Sequence, residues 1–446
     1  MMRRASSAAV VTALLAAALI VVGAVAFRPA TEVVGELPST LVPEPASLLA
    51  RPGIGGGSLE TQIAGLRQRL QELPSDRRAF ASLGIAYVAQ ARATGDPSLY
   101  PKAEEALDAS LRLGARHNED ALLGLGALAL ARHDFGAALA FGRRAAEIDP
   151  FGADAHGVIG DALLELGRYD EAFAAFQTMV DTRPDLASYA RVSYARELQG
   201  DVRGATRAMT LAFDAAATSG DAAWAAYQLG ELAFGSGDVR AAASWYHRGL
   251  GLDPSFVPNL AGTAKVAWAR GDARLAIQRY AEVTARYPSP EFVVALADLY
   301  RVTGRDAQAQ EQEAVVRALH DLADGNGVDA DLELALFDAD HGDEAIALEA
   351  ARSEWARRRS VHVADAFAWA LYANGRYEQA ATFADRALRL GTRNATFLFH
   401  AGMIRLALGN DRAARSYLRR AVAVNPNFSI LHAETAERIL SRLGDP

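Results

Sequence analysis

The sequence predicts an all-α fold, a right-handed superhelix of about ten helix–turn–helix repeats with a capping helix at each end. The first observation is an alanine that recurs every 33 to 38 residues, at Ala103, Ala138, Ala172, Ala205, Ala242, Ala276, Ala309, Ala347, Ala380 and Ala414. The second is a glycine five residues before most of them, at Gly167, Gly200, Gly237, Gly271, Gly304, Gly342, Gly375 and Gly409. The third is a proline twelve residues after several, at Pro150, Pro184, Pro254, Pro288 and Pro426. Such a period is typical of stacked helical pairs.

Backbone chemistry explains the three residue types. Glycine adopts the left-handed turn that ends the first helix, the small alanine lets the second helix pack closely, and proline ends that helix. The third repeat shows the pattern most fully, with Ile159, Gly160, Leu163, Gly167, Ala172, Phe176 and Pro184 at the expected positions. This pattern resembles the tetratricopeptide repeat (TPR) family over roughly residues 77 to 426.

The elements follow in order along the chain. A capping helix is expected at 59–75, because Leu59, Ile63, Leu66, Leu70 and Leu73 form one apolar stripe before Pro74. The TPR array occupies 76–427, with repeats at about 77–113, 119–152, 153–185, 186–219, 223–256, 257–289, 290–327, 328–360, 361–394 and 395–427. In the fourth repeat, which lacks the closing proline, we expect the second helix to continue to Thr218. Residues 428–446 predict the C-terminal capping helix.

The N-terminus predicts export. Arg3 and Arg4 precede an apolar stretch over residues 8–27 and no acidic residue appears before Glu32, which is the form of a signal peptide or a signal-anchor helix at 1–27. Residues 28–58 are rich in proline and glycine and predict a flexible linker. The array is therefore expected outside the cytoplasm, secreted, periplasmic or anchored through residues 8–27 if they are uncleaved.

Composition excludes several classes of function. The chain has no cysteine, which excludes disulfides, thiolate catalysis and cysteine-ligated zinc. A net charge of −8 over 446 residues gives no support to nucleic-acid binding, which needs a basic face. The sequence contains no phosphate-binding loop and no pair of metal-binding histidines at helical spacing, so we expect no enzyme and no cofactor.

One acidic segment leaves an alternative open. Asp338, Asp340 and Asp343 surround a predicted turn, and alternating carboxylates on a turn could bind a divalent cation. Asp343 also suits the start of the next helix, where an acidic residue caps the backbone. The three residues are thus weak candidates for a metal site.

The TPR resemblance implies that the first helix of each pair lines a concave groove, with ligand contacts at fixed positions of that helix. Carried over residue by residue, these positions give Tyr194, Trp224, Tyr227, Glu231, Lys265, Trp268, Asp298, Asp365, Trp369 and Tyr372. Aromatic side chains with interspersed carboxylates suit an unknown protein or peptide ligand. Alternatively, some of these rings fill the space between neighbouring repeats. The resemblance implies a non-enzymatic interaction scaffold.

Three C-terminal blocks, at 326–343, 357–380 and 388–410, also resemble a group of exported bacterial TPR proteins of no established activity. An alanine- and arginine-rich composition agrees with a bacterial source.

Overall fold

The chain is an α-solenoid of stacked helical pairs. The structure, a computed structural model, describes residues 59–329 and 331–444, and within these ranges it has 22 α-helices and no strand. The capping helices are α1 (Leu59–Glu72) and α22 (Ala433–Leu443). The first five pairs are α2 (Arg77–Thr94) with α3 (Tyr100–Leu113), α4 (Glu119–Ala131) with α5 (Phe135–Ile148), α6 (Ala153–Glu165) with α7 (Tyr169–Thr182), α8 (Leu186–Leu198) with α9 (Val202–Asp214), and α10 (Ser219–Gly235) with α11 (Val239–Leu252).

The second five pairs continue the same arrangement. They are α12 (Val257–Ala269) with α13 (Ala273–Arg286), α14 (Pro290–Val302) with α15 (Asp306–Asp324), α16 (Asp331–His341) with α17 (Glu344–Arg357), α18 (Val361–Ala373) with α19 (Tyr377–Ala387), and α20 (Ala395–Ala407) with α21 (Asp411–Val424). We number the ten pairs as repeats 1 to 10. The ten predicted repeats are therefore confirmed.

Small residues set the spacing between helices. All ten periodic alanines lie on the second helix of their pair and are at most 1% exposed. Tyr246, which is fully buried, packs against Gly230 and Gly262, where an added Cβ would lie 2.3 Å from its ring. Close-packed interiors do not tolerate such an overlap, so these positions admit only glycine.

The turn inside each pair also follows the prediction. All eight periodic glycines have a positive φ, between 69° and 96°. Repeat 2 has no glycine at this position; there His133 adopts the left-handed conformation, with φ 61°. Because this conformation is disfavoured for residues with a Cβ, His133 requires compensating contacts.

One predicted helix boundary is wrong. The second helix of repeat 4, α9, ends at Asp214 instead of continuing to Thr218. The hydroxyl of Thr218 accepts a hydrogen bond from the backbone N–H of Asp221 and caps α10. The missing proline therefore does not extend the helix, because a threonine cap begins the next one.

The superhelix contacts itself after five repeats. The turns inside repeats 1 to 5 meet the loops that follow repeats 6 to 10, and we call this line of contacts the seam. Its first pairings are the Tyr287 hydroxyl with the Arg92 carbonyl at 3.5 Å and the His133 ring with the Asp329 carbonyl at 2.6 Å. Two stacked superhelical turns of five repeats each result.

The predicted signal or anchor segment at 1–27 and the linker at 28–58 lie outside the described residues. Among the residues that are described, none of the helices is both long enough and apolar enough to cross a membrane.

Candidate functional site

The first helices of the pairs form the inner face of the superhelix. First helices of neighbouring pairs contact one another at several steps of the array, namely α2 with α4, α4 with α6, α10 with α12, α14 with α16, α16 with α18 and α18 with α20. We call the space that they enclose the lumen. All ten sequence-predicted groove residues lie on these helices, and several of them belong to two separate clusters.

The first cluster joins repeats 5 to 7. The Lys265 ammonium lies 2.7 Å from Glu231 Oε2 and 3.3 Å from Glu291 Oε1. The Tyr246 hydroxyl donates a hydrogen bond of 2.7 Å to Glu231 Oε1. Although burial opposes it, the carboxylates of Glu231 and Glu291 raise the pKa of Lys265 above its ordinary value. The ammonium therefore stays charged, and both neighbouring carboxylates share it.

Glu197 on α8 adds a further carboxylate to this part of the lumen. Its side chain is exposed to solvent, yet protein surrounds it closely because it faces an enclosed space. Burial in that space raises the pKa of Glu197 to about 7, and the nearby charge of Glu231 contributes. The first cluster thus holds three carboxylates, those of Glu197, Glu231 and Glu291, for one ammonium.

The predicted aromatic anchors differ in their exposure. Tyr227 is 7% exposed and packs between Tyr246 and Phe256, so it belongs to the core. Trp224 and Trp268 are half-buried against the packing cores of repeats 4 and 6 respectively, which leaves part of each ring accessible. Tyr194 is half-buried as well and stacks on His362, with ring centres 6.3 Å apart.

The second cluster lies at the C-terminal end of the array, around Trp369. The indole is only 5% exposed and is stacked between His400 at 4.1 Å and Tyr372 at 4.7 Å. Asp365 Oδ2 lies 2.9 Å from His400 Nδ1. Trp369 therefore fills the space between repeats, as the alternative interpretation of the rings held, and it offers little surface to a ligand.

Two further carboxylates of this region also have histidine partners. Asp298, a predicted groove residue, lies 3.0 Å from His341 Nε2. Asp340 Oδ1 accepts hydrogen bonds from Trp369 Nε1 at 2.7 Å and from His432 Nε2 at 2.9 Å. Although burial opposes it, the His432 contact lowers the pKa of Asp340. Because His432 directly precedes α22, this contact also fixes the C-terminal capping helix to α16.

The structure does not assemble the candidate cation site. Asp338 is fully buried and pairs with Arg317 at 2.8 Å, Asp340 has the partners described above, and Asp343 caps α17 through the Ile346 N–H. The three carboxylates thus serve separate contacts. Within the described ranges, no group of three histidine or acidic side chains converges in a way that could hold a metal ion.

Sequence reasoning singled out neither Tyr246 nor the histidine partners as site residues. Tyr246 lies on a second helix, whereas the family's contact positions lie on first helices, so the hydrogen bond from its hydroxyl to Glu231 was not expected. The histidines carried a weak signal, since four of the nine lie after residue 340, with no paired motif among them: His341, His362, His400 and His432.

Models of the tetratricopeptide repeat family match residues 88–153, 129–194, 262–326 and 366–428, which together make up more than half of the chain. The chain belongs to the tetratricopeptide repeat family. TPR arrays mediate protein–protein interactions, and the coarse function of this chain is that of an interaction scaffold.

No curated protein matches the sequence. Solved structures of similar fold include the human IFIT1 dimer with PPP-AAAA, at 13% identity and a TM-score of 0.46, where 82% of this chain and 87% of that chain are covered. Yeast Tom70 matches at 12% identity and a TM-score of 0.36, with 86% and 92% covered. A TPR protein from Parabacteroides merdae matches at 15% identity and a TM-score of 0.34, with 58% and 98% covered. Likeness at this level concerns the fold and not the partners of this chain.

Proposed function

We propose that this chain is a non-enzymatic scaffold that binds an extended segment of a partner protein along its concave face. A solenoid presents a long preformed surface, so it loses little conformational freedom on binding. The half-buried rings of Trp224 and Trp268 supply apolar contact area on repeats 5 and 6. Trp224 shares α10 with Glu231, and Trp268 shares α12 with Lys265, so each of these helices carries both an apolar and a charged contact.

We further propose that the bound segment carries a lysine or arginine side chain. The observation that supports this is the excess of carboxylates at Glu197, Glu231 and Glu291 over the single ammonium of Lys265. A cationic side chain placed beside Glu197 would neutralise a charge that the lumen destabilises. Asp298 and Asp365 already have histidine partners, so the selection of charge rests on the first cluster.

A direct test uses a fluorescent peptide of alternating lysine and alanine, and a second peptide in which glutamate replaces lysine. The wild-type protein should bind the lysine peptide more tightly, measured by fluorescence anisotropy at low salt. Glu197→Gln combined with Glu291→Gln should weaken binding about fivefold to thirtyfold, because each lost partly exposed charge contact contributes ~0.5–1 kcal/mol. Glu105→Gln, at an exposed position of α3, is the matched control. Equal binding of the two peptides to the wild type would contradict the proposed charge preference.

The pH dependence of this binding has a defined sign. A bound cation stabilises the ionised form of Glu197, so its pKa in the complex is below the value of about 7 in the free protein. Affinity for the lysine peptide should therefore decrease as the pH falls through 7, and Glu197→Gln should remove most of this dependence. A wild-type affinity that stays constant from pH 8 to pH 6 would show that Glu197 does not contact the bound peptide.

The aromatic contribution has its own test. Trp224→Ala and Trp268→Ala should each reduce the binding free energy of the lysine peptide by ~1–3 kcal/mol if the rings contact it. The melting curve of the double variant, followed by circular dichroism, must first match the wild type. A folded double variant with unchanged affinity would place the binding surface elsewhere on the array.

We also propose that the array acts outside the cytoplasm. Support comes from the sequence, where Arg3 and Arg4 precede the apolar stretch at 8–27. A reporter that is active only outside the cytoplasm, fused after Pro446, should be active, and an expressed but silent fusion would contradict export. N-terminal sequencing then separates a cleaved signal, which gives a start at Phe27, from an uncleaved anchor.

A further inference from the structure

The seam follows one rule over its whole length. The turn of repeat 3 at Gly167 meets Arg359, the turn of repeat 4 at Gly200 meets Gly391, and the turn of repeat 5 at Gly237 meets Val424. Together with the pairings of repeats 1 and 2, every turn in the first half of the array lies against the loop that follows the repeat five places later. The two superhelical turns thus touch along their full shared edge.

Buried polar contacts hold the centre of the seam. Arg358 is 3% exposed and pairs with Glu165 at 3.3 Å across the seam and with Glu354 on its own side. The Arg359 N–H donates to the Glu165 carbonyl at 2.9 Å, and the Val361 N–H donates to the Tyr169 hydroxyl at 2.7 Å. Buried donors and acceptors that satisfy one another in this way are costly to separate without water.

Apolar packing accompanies these contacts. A single hydrophobic cluster joins Leu128, Leu164 and Leu198 of the first superhelical turn with Val361 and Phe397 of the second. The seam is therefore a continuous packed interface and not a row of isolated hydrogen bonds. Because the seam fills the gap between the two superhelical turns, a chain that reaches the lumen without opening the seam must pass along the axis of the solenoid.

We propose that the seam regulates access to the lumen: it keeps the lumen closed in the free protein, and it must open before an internal segment of a partner chain can reach Glu197, Glu231 and Glu291. This inference rests on the proposed binding function, because it concerns how the same site is reached. A free chain end could enter along the axis, whereas a segment between two folded domains cannot. Binding of such a segment therefore includes the free energy of opening the seam.

The chain contains no cysteine, so a single introduced thiol can report on access to the lumen. Glu197→Cys places a thiol in the lumen, and Lys102→Cys places one at an exposed position of α3 on the outer helices. Each is reacted with a small maleimide and with a maleimide on a bulky branched polymer that cannot thread through the ends. The measured quantity is the labelling rate with the polymer maleimide divided by the labelling rate with the small maleimide. If the seam is open about 1% of the time, this ratio should be about 100-fold lower at position 197 than at position 102.

A matched pair of variants then tests the seam itself. Gly167→Ala with Gly200→Ala adds methyl groups that would lie 2.5 Å from the Arg359 carbonyl and 2.4 Å from the Gly391 carbonyl. Gly304→Ala with Gly375→Ala adds the same groups at turns with similar positive φ, where no atom lies within 4 Å of the added Cβ. The first pair should raise the ratio at position 197 about tenfold by populating the open state, and the second should leave it unchanged.

The outcomes separate this inference from the proposed function. Equal ratios at positions 197 and 102 in the wild-type background, or equal effects of the two glycine pairs, would overturn the role of the seam. If the first pair loses its helical circular dichroism while the second keeps it, Tyr169→Phe is the milder seam variant and must raise the ratio instead. The assay contains no partner protein, so the seam can be tested whether or not the lysine peptide binds.

Discussion

The turns of repeats 2 to 5 and those of repeats 6 to 10 have nearly the same local sequence and backbone but different surroundings. Gly200 and Gly375 both end a first helix with φ near 70°, at 74° and 69°. The next superhelical turn covers Gly200, whereas no atom lies near the position that a Cβ of Gly375 would occupy. Glycine is thus required at Gly375 only for the left-handed backbone conformation, whereas at Gly200 it is also required because the next superhelical turn leaves no room for a Cβ. The repeat pattern alone therefore does not predict how much a substitution at one of these glycines lowers the free energy of unfolding.

The largest expected effect concerns Arg358, the buried charge in the seam between the two superhelical turns. Arg358→Met leaves the carboxylate of Glu165 buried without its cation, whereas Glu354 keeps its pair with Arg357, and the change should lower the free energy of unfolding by ~3–5 kcal/mol. Arg405→Met removes a pair with Asp385 that is 2.5 Å long but whose acid is 58% exposed, and should cost only ~0–1 kcal/mol. Chemical denaturation followed by circular dichroism measures both. Similar losses for the two variants would show that burial in the seam adds nothing.

The second prediction concerns pH and the turn that lacks glycine. Burial, with the charge of Arg358 contributing, lowers the pKa of His133 from 6.5 to about 3. Its contribution to stability is thus complete above pH 6.5 and is lost as the pH falls toward 3. Between pH 7 and about pH 4.5 the loss should be ~2–3 kcal/mol.

His133→Asn is the matched variant for this measurement, because asparagine tolerates the left-handed conformation and does not titrate in this range. It should lose less stability on acidification than the wild type. His362, whose pKa burial lowers to about 4, titrates in both proteins, so only the difference between them counts. Identical pH profiles would mean that His133 can be protonated without opening its contact to Asp329.

The smallest expected effect compares the two kinds of turn directly. Gly375→Ala should cost ~1–2 kcal/mol, because alanine is disfavoured at positive φ. Gly200→Ala has the same backbone penalty and must also displace the Gly391 carbonyl, which should add ~1–2 kcal/mol. Denaturation midpoints of the two single variants give the difference. Equal costs would show that the loop at Gly391 moves aside freely.

The sequence predicted what depends on the repeat period. The ten alanines, the glycine turns and the helical pairs meet local requirements that recur in every repeat, so they can be recognised from the sequence alone. The contact of Glu231 with Lys265 was not predicted, although it depends on the same period, since the two residues are 34 positions apart and occupy equivalent places in adjacent repeats. Adjacent carboxylate and ammonium positions on first helices are thus readable from a sequence.

The seam could not be predicted in this way. Glu165 and Arg358 are 193 residues apart, and their meeting depends on how many repeats complete one superhelical turn. That number results from small packing angles that accumulate over five repeats, and no single residue encodes it. The burial of Trp369 was missed for another reason: besides His400 of the next repeat, it depends on His432, which precedes the capping helix and lies outside the repeat period.

The five-repeat register changes how the array should unfold. An open solenoid behaves as a one-dimensional row in which each unit is coupled only to its two neighbours, so its ends fray independently. Here, units 1 to 5 are also coupled to units 6 to 10, which turns the row into a two-layered cylinder. Loss of the last repeats would remove contacts from the middle of the chain as well. Cooperativity should therefore extend across the whole array, and the C-terminal repeats, although distant in sequence, become part of what keeps the early ones folded.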